Sequence, residues 1–275
     1  MKYRRLFALL LVGVLLVSVL CGCIQKKYEP YTVLEAGSEE MKAVYTYANE
    51  EDYTASEQMT VKVNGKEYTG AFDYKYAGGN DVMLAYEGED CRFTVSAISG
   101  ELLRFSRRGL PEATNEISSK EARRIADAIA DDYINISDYQ VTCIEQYNRF
   151  IYTRFISGYR TSEELEISLR EDGELESIEL NDIGAFKRVE SVNIDQDKLY
   201  EALDRKLNAL AERDAPEDGT DIEITKWSMR LVLLENGQIA YGGEQVISTE
   251  TWHDHYFVYV IVEHQKKTTP VLEFN

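Results

Sequence analysis

Apolar and polar positions follow three different patterns along this chain, and the changes divide it. From Leu6 to Leu20 the residues are almost all apolar, with no alternation. Beyond residue 37, apolar positions recur three and four residues apart, as on a helix, or every second residue, as on a strand. Two helices are well marked. Ser118-Ser119-Lys120-Glu121 reads as a capping box, with the Ser118 hydroxyl accepting from the amide of Glu121, whose side chain reaches back. Ile117 is placed for a staple to Ala122, and Ala122, Ile125, Ala126, Ile129, Ala130 and Tyr133 then form one stripe. A second helix is expected from about Asp195 to Glu212, striped by Leu199, Ala202, Leu203, Leu207 and Leu210, with Pro216 and Gly219 beyond its end. A weaker candidate begins near Ser38 and carries Met41, Val44, Tyr45 and Ala48.

Strand patterns fill the intervals. Leu165, Ile167 and Leu169 alternate with polar residues, Glu171-Asp172-Gly173 turns the chain, and Leu175, Ile178 and Leu180 return, with Leu175 off the parity of the other two. Asp-Gly or Asn-Gly between alternating runs is a strong hairpin signal. Asn236-Gly237 repeats it between the run Leu231–Leu234 and Ile239-Ala240-Tyr241, and Ser99-Gly100 is a weaker instance between Phe93-Thr94-Val95 and Phe105. One helix followed by antiparallel strands thus recurs about three times, starting near Ser38, Ser118 and Asp195. The expected fold is α+β: two or three tandem units over residues 38–110, 111–190 and 191–275, each a helix packed on an antiparallel β-meander.

The middle unit resembles a PepSY-type domain. The residues that carry the resemblance are Ile117-Ser118-Ser119-Lys120-Glu121-Ala122, with Ile125-Ala126 one turn on, and the closing hairpin with Leu169 before Asp172-Gly173-Glu174-Leu175. That family has no strict catalytic motif, so no functional residue carries over. The resemblance implies an extracytoplasmic, non-enzymatic module that inhibits peptidases or regulates cell-surface proteins. A looser similarity is to the membrane-anchored regulators of a Gram-positive cell-wall sensor kinase.

The N-terminal run has an address rather than a fold. Lys2, Arg4 and Arg5 precede it, and Leu20-Cys21-Gly22-Cys23 closes it, the arrangement of a secretory signal. The last four residues resemble a bacterial lipobox, which makes residues 1–22 a signal peptide and Cys23 the lipidated N-terminus. An uncleaved anchor is the other reading, since Leu6 to Ile24 is only a little short of the ~20 residues that span a bilayer. Either way the basic residues stay inside and the rest lies at the outer face of the membrane, in a Gram-positive bacterium on these resemblances. Residues 23–37 become a lipidated tether of ~50 Å at full extension, so any partner lies at or just above the membrane.

Composition narrows the partner. The chain of 275 residues has a net charge of −19, and cleavage before Cys23 removes three basic residues and no acid. Nucleic acid is excluded by that surface. Basic peptides and divalent cations are attracted. Cys91 and Cys143 remain after maturation, each among apolar residues of one parity, which suits a disulfide or two buried free thiols.

Candidate chemistry is sparse. His253 and His255 share one strand face and form a weak metal pair; His264 falls on the opposite face. The acidic loop from Asp214 to Asp221 is oxygen-rich, as calcium sites are, but does not match the spacing of an EF-hand loop and reads first as a solvated helix-to-strand connection. Asp131-Asp132 and Glu171-Asp172 are paired acids without a neighbour to shift a pKa. Gly-x-Ser-x-Gly and His-Glu-x-x-His are missing, so no catalytic residue and no cofactor is assigned. Tyr74 and Tyr76 share a strand face and are weak candidates for gripping a sugar or an extended peptide. The functional expectation is a membrane-anchored protein- or peptide-binding module that inhibits or regulates a cell-surface partner. The rival readings are a solute-binding lipoprotein for sugars or peptides and a metal-dependent hydrolase.

Overall fold

Alternating side chains govern most of the chain beyond residue 31, and strands are what they build. The computed structural model describes residues 31–42, 48–78, 81–113, 115–215 and 221–266. The signal segment, Cys23, most of the tether and residues 216–220 of the acidic loop lie outside them. The described elements all belong to one unit, Thr32–Asn275.

In chain order the strands are β1 (Val33–Glu35), β2 (Gln58–Val63), β3 (Lys66–Gly78), β4 (Asp81–Glu87), β5 (Cys91–Ser96), β6 (Leu102–Arg107), β7 (Tyr139–Ile144), β8 (Arg149–Ile156), β9 (Tyr159–Leu169), β10 (Leu175–Asn181), β11 (Val189–Asn193), β12 (Glu223–Lys226), β13 (Arg230–Leu233), β14 (Ile239–Ser248) and β15 (His253–Lys266). The described helices are α1 (Glu39–Lys42), α2 (Ser119–Ala130) and α3 (Gln196–Asp214).

All fifteen strands join one sheet, with the main order β1-β15-β14-β13-β9-β10-β6-β5-β4-β3-β2. Every pairing is antiparallel except β13 with β9, which is parallel and rests on Leu231 opposite Thr161. β9 is the hinge of this arrangement. Its C-terminal half pairs β10, its N-terminal end meets β13, and its other edge pairs β8.

Helix α2 begins as its cap predicts, for Ser118 Oγ accepts from Glu121 N at 3.2 Å. The reciprocal arm is not made: the Glu121 carboxylate takes Arg124 at 2.7 and 3.1 Å. Ala122, Ala126, Ile129 and Ala130 are buried in a core with Phe93, Phe105, Phe150, Tyr152, Leu165, Ile167 and Ile178. Helix α3 starts where Asp195 caps Lys198 N at 3.3 Å, and Leu199, Ala202, Leu203, Leu207 and Leu210 are all buried. A smaller core on the other part of the sheet joins Leu34, Met41, Leu234 and Ala240. No helix among the described residues is long and apolar enough to cross a membrane.

The expectation of α+β tandem units, each a helix on its own meander, is overturned. The molecule is mostly β, with one mixed fifteen-strand sheet. Three findings explain why the repeat misleads. Of the expected first helix the described residues show the four of α1, and Val44 and Tyr45 lie outside the description. The strand before it, β1, pairs with β15 at the far end of the chain. The strands that follow it do not close on themselves, since β6 pairs β10 at Phe105 opposite Ile178. Period along the chain therefore did not translate into separate units in space, because backbone pairing at β1 and β6 was completed by distant segments.

Candidate functional site

The most concentrated chemistry lies where the chain crosses from one part of the sheet to the other. Phe150, Tyr152 and Arg154 share one parity on β8, and Glu163, Leu165, Ile167 and Leu169 share one on β9, so an opposite pair of charges occupies inward positions. Arg154 is 8 % exposed and Glu163 1 %. Arg154 Nη1 lies 3.4 and 3.3 Å from the two carboxylate oxygens. Those separations are longer than a strong charge-assisted bond. Other donors complete the site. The Tyr139 hydroxyl donates to Oε1, Gly184 N donates to Oε1 at 2.8 Å, and Phe186 N donates to Oε2 at 3.2 Å. Gly184 adopts φ +81°, which turns its amide toward the carboxylate at little steric cost. Thr161 Oγ1 donates to Arg154 O at 3.0 Å and accepts from Glu163 N at 3.1 Å, tying the two strands beside the pair. Burial first, then the bond to Glu163, pushes the Tyr139 phenol above its ordinary pKa, so it remains a donor across the physiological range.

Above this pair opens a cleft of about 450 Å³. Asp131 and Asp132, at the C-terminal end of α2, and Asp138 line it with Tyr133, Tyr139 and Lys187. Burial, reinforced by the charge of Asp132, pushes Tyr133 up to about 12. Asp131-Asp132, read from sequence as acids without a neighbour, thus stand over a buried ion pair. The rest of the cleft was missed. The available signal was a charge at an inward position on each arm of one hairpin, Arg154 and Glu163, flanking the Ser157-Gly158 turn.

The candidates named from sequence are scattered. His253 and His255 lie on one exposed face of β15, with ring centroids 6.0 Å apart, and His255 Nδ1 meets Glu244 Oε1 at 2.5 Å. β15 pairs without interruption from His253 to Val262, which leaves His264 on the parity of the buried Val260 and Val262. Among the described residues no group of three or more His, Cys, Asp or Glu is arranged to hold a metal. Cys91 is buried and Cys143 exposed, both as free thiols. Burial raises each pKa, helped by Asp90 at Cys91 and Glu145 at Cys143, so neither is activated. Asp172 is held by Arg170, whose bond keeps the carboxyl below its ordinary range, and a second Arg170 nitrogen reaches Pro111 O.

Tyr74 and Tyr76 reach the surface by a break in register. Phe72 pairs Tyr86 on the core face; a bulge follows, and Tyr74 and Tyr76 then pair Ala85 and Met83. The extra residue, Asp73, turns both rings to the face opposite the core. Their centroids are 5.7 Å apart at 34°, and the Arg92 guanidinium lies 5.1 Å from the Tyr74 centroid. Arg92 Nη2 also donates to Asp73 Oδ2 at 3.0 Å, which fixes the cation beside the aromatic pair.

No family model matches this chain, and no curated protein matches it. Among solved structures it is similar to the Bacillus megaterium YpeB C-terminal domain, at 12% identity and a TM-score of 0.32, over 77% of this chain and 89% of that one. A likeness at that level decides neither the topology nor the function of this chain.

Proposed function

We propose that this protein is a non-enzymatic binding module, PepSY-like in character, that inhibits or regulates a protein or peptide partner at the outer face of the cell membrane. Cys23 is its lipid attachment in this reading, and the support for that location is the N-terminal sequence alone. The observation that carries the binding role is the outward aromatic pair with its fixed cation. Tyr and Arg are the side chains that dominate protein–protein hot spots, since they present large rigid area together with polar handles. The platform lies one strand in from an open edge: among the described residues β2 pairs only β3. An extended segment of a partner can add to that edge. The net charge of −19 favours a basic one.

Cross-linking in the native cell, followed by partner identification, tests this. The unaltered chain should capture a defined protein or peptide. Tyr74→Ala with Tyr76→Ala should reduce capture about thirtyfold, matching the ~2 kcal/mol of a hot spot. Thermal stability should change less than capture, because Tyr74 is 44% exposed and Tyr76 only half-buried. Failure to capture any protein or peptide, beside a clear thermal shift with a sugar or an ion, would overturn the proposal.

A further inference from the structure

The cleft over Arg154 and Glu163 has a charge arrangement that stability does not explain. A helix C-terminus carries partial negative charge and is stabilised by Lys or Arg there. α2 has no basic residue in its last turn and ends instead on Asp131 and Asp132, both exposed and lining the cleft. Asp138 adds a third carboxylate on the same rim. Among the described residues, no ion pair or side-chain hydrogen bond engages these three carboxylates.

Below them the charge is reversed. Arg154 is nine-tenths buried yet engages Glu163 through Nη1 alone, at 3.3 and 3.4 Å. A guanidinium has five N–H donors. The hydroxyl beside it, that of Tyr139, is committed to Glu163. Arg154, which also reaches the Tyr139 hydroxyl, lines the cleft, and Lys187 brings a second cation to the same wall. The three carboxylates outside, and these two cations next to the already satisfied Glu163, match a ligand that carries both signs. The volume of about 450 Å³ lies within the range of small-molecule sites.

We propose that this cleft binds a small zwitterion, a ligand carrying a carboxylate and an ammonium group as a free α-amino acid or a short peptide does. Arg154 and Lys187 receive the carboxylate, and Asp131, Asp132 and Asp138 receive the ammonium. The site is separate from the Tyr74–Tyr76 platform, and its failure would leave the proposed partner binding standing.

The test is calorimetric titration of the full chain with alanine and with dialanine, against succinate as a dianion and cadaverine as a dication. At least one zwitterion should saturate a single site at least tenfold more tightly than either control. The tighter of the two distinguishes a free amino acid from a peptide as the natural source. Asp132→Asn with Asp138→Asn alters only exposed side chains, so the fold should survive, and affinity for the zwitterion should fall at least tenfold. Absence of zwitterion binding, equal binding of succinate or cadaverine, or unchanged affinity in the double variant would each overturn the proposal.

Discussion

Glu163 is 1 % exposed, and a carboxylate at that depth persists because four groups answer it: Arg154, the Tyr139 hydroxyl and the amides of Gly184 and Phe186. Removing one member of a buried pair leaves the other charge uncompensated, at a cost of about 3–5 kcal/mol. Glu163→Gln should therefore lose about that much in urea unfolding. Replacing both residues, Glu163→Leu with Arg154→Met, should lose less than the single change, because no lone charge remains. The orphaned amides will keep the double variant below the unaltered chain. A single-variant loss under about 1 kcal/mol would show that the pair is not a stabilising latch. Part of this was legible. Inward parity on two neighbouring strands exposes Arg154 and Glu163 as an anomaly, but the amides of Gly184 and Phe186 arrive from a crossover some twenty residues away, which no local pattern marks.

Elements were read well where their signals are short-range. Hairpins turn at Gly100, Gly173 and Gly237, each with a positive φ. The off-parity Leu175 is also resolved: a bulge between Leu175 and Ser177 returns it to the buried side opposite Leu169. The same device acts in β3, where Tyr74 and Tyr76 reach the outer face because Asp73 is extra. Gly173 joins an element to its neighbour as well. Its φ is +83°, and a Cβ there would lie 2.8 Å from the Cδ1 atoms of both Ile117 and Ile125. Gly100 has a similar φ, +73°, but open space around it. Gly173→Ala should thus cost about 1–3 kcal/mol, and Gly100→Ala only the backbone part of that, about 1 kcal/mol. Equal losses of thermal stability in the two variants would mean that the turn does not press on α2.

Across the whole molecule, the deciding contacts join the ends of the chain. β1 pairs β15, and Glu35 at its end meets Lys206 at 2.8 Å and Arg213 at 3.2 Å on α3. Burial pushes the Glu35 carboxyl up, but the bonds and charges of Lys206 and Arg213 together hold it below the ordinary carboxylate range. A pKa lower in the folded state gives stability that is complete above the unfolded value of ~4.3 and fades as pH falls through the folded one. Glu35→Gln should cost about 1 kcal/mol at pH 7, since both partners are partly exposed, and that difference should shrink progressively as pH falls below ~4.3. Unfolding midpoints measured across that range check it, and a pH-independent difference would contradict it. By itself the sequence determined the two long helices, the glycine hairpins and an acidic character, because caps, turns and periodicity act within a few residues. The tertiary structure alone decided that the described strands form one sheet, that the first of them belongs with the last, and that Asp131, Arg154, Glu163 and Lys187 meet at a cleft. Strand edges are satisfied by any backbone that reaches them, and a local pattern carries no record of which one does.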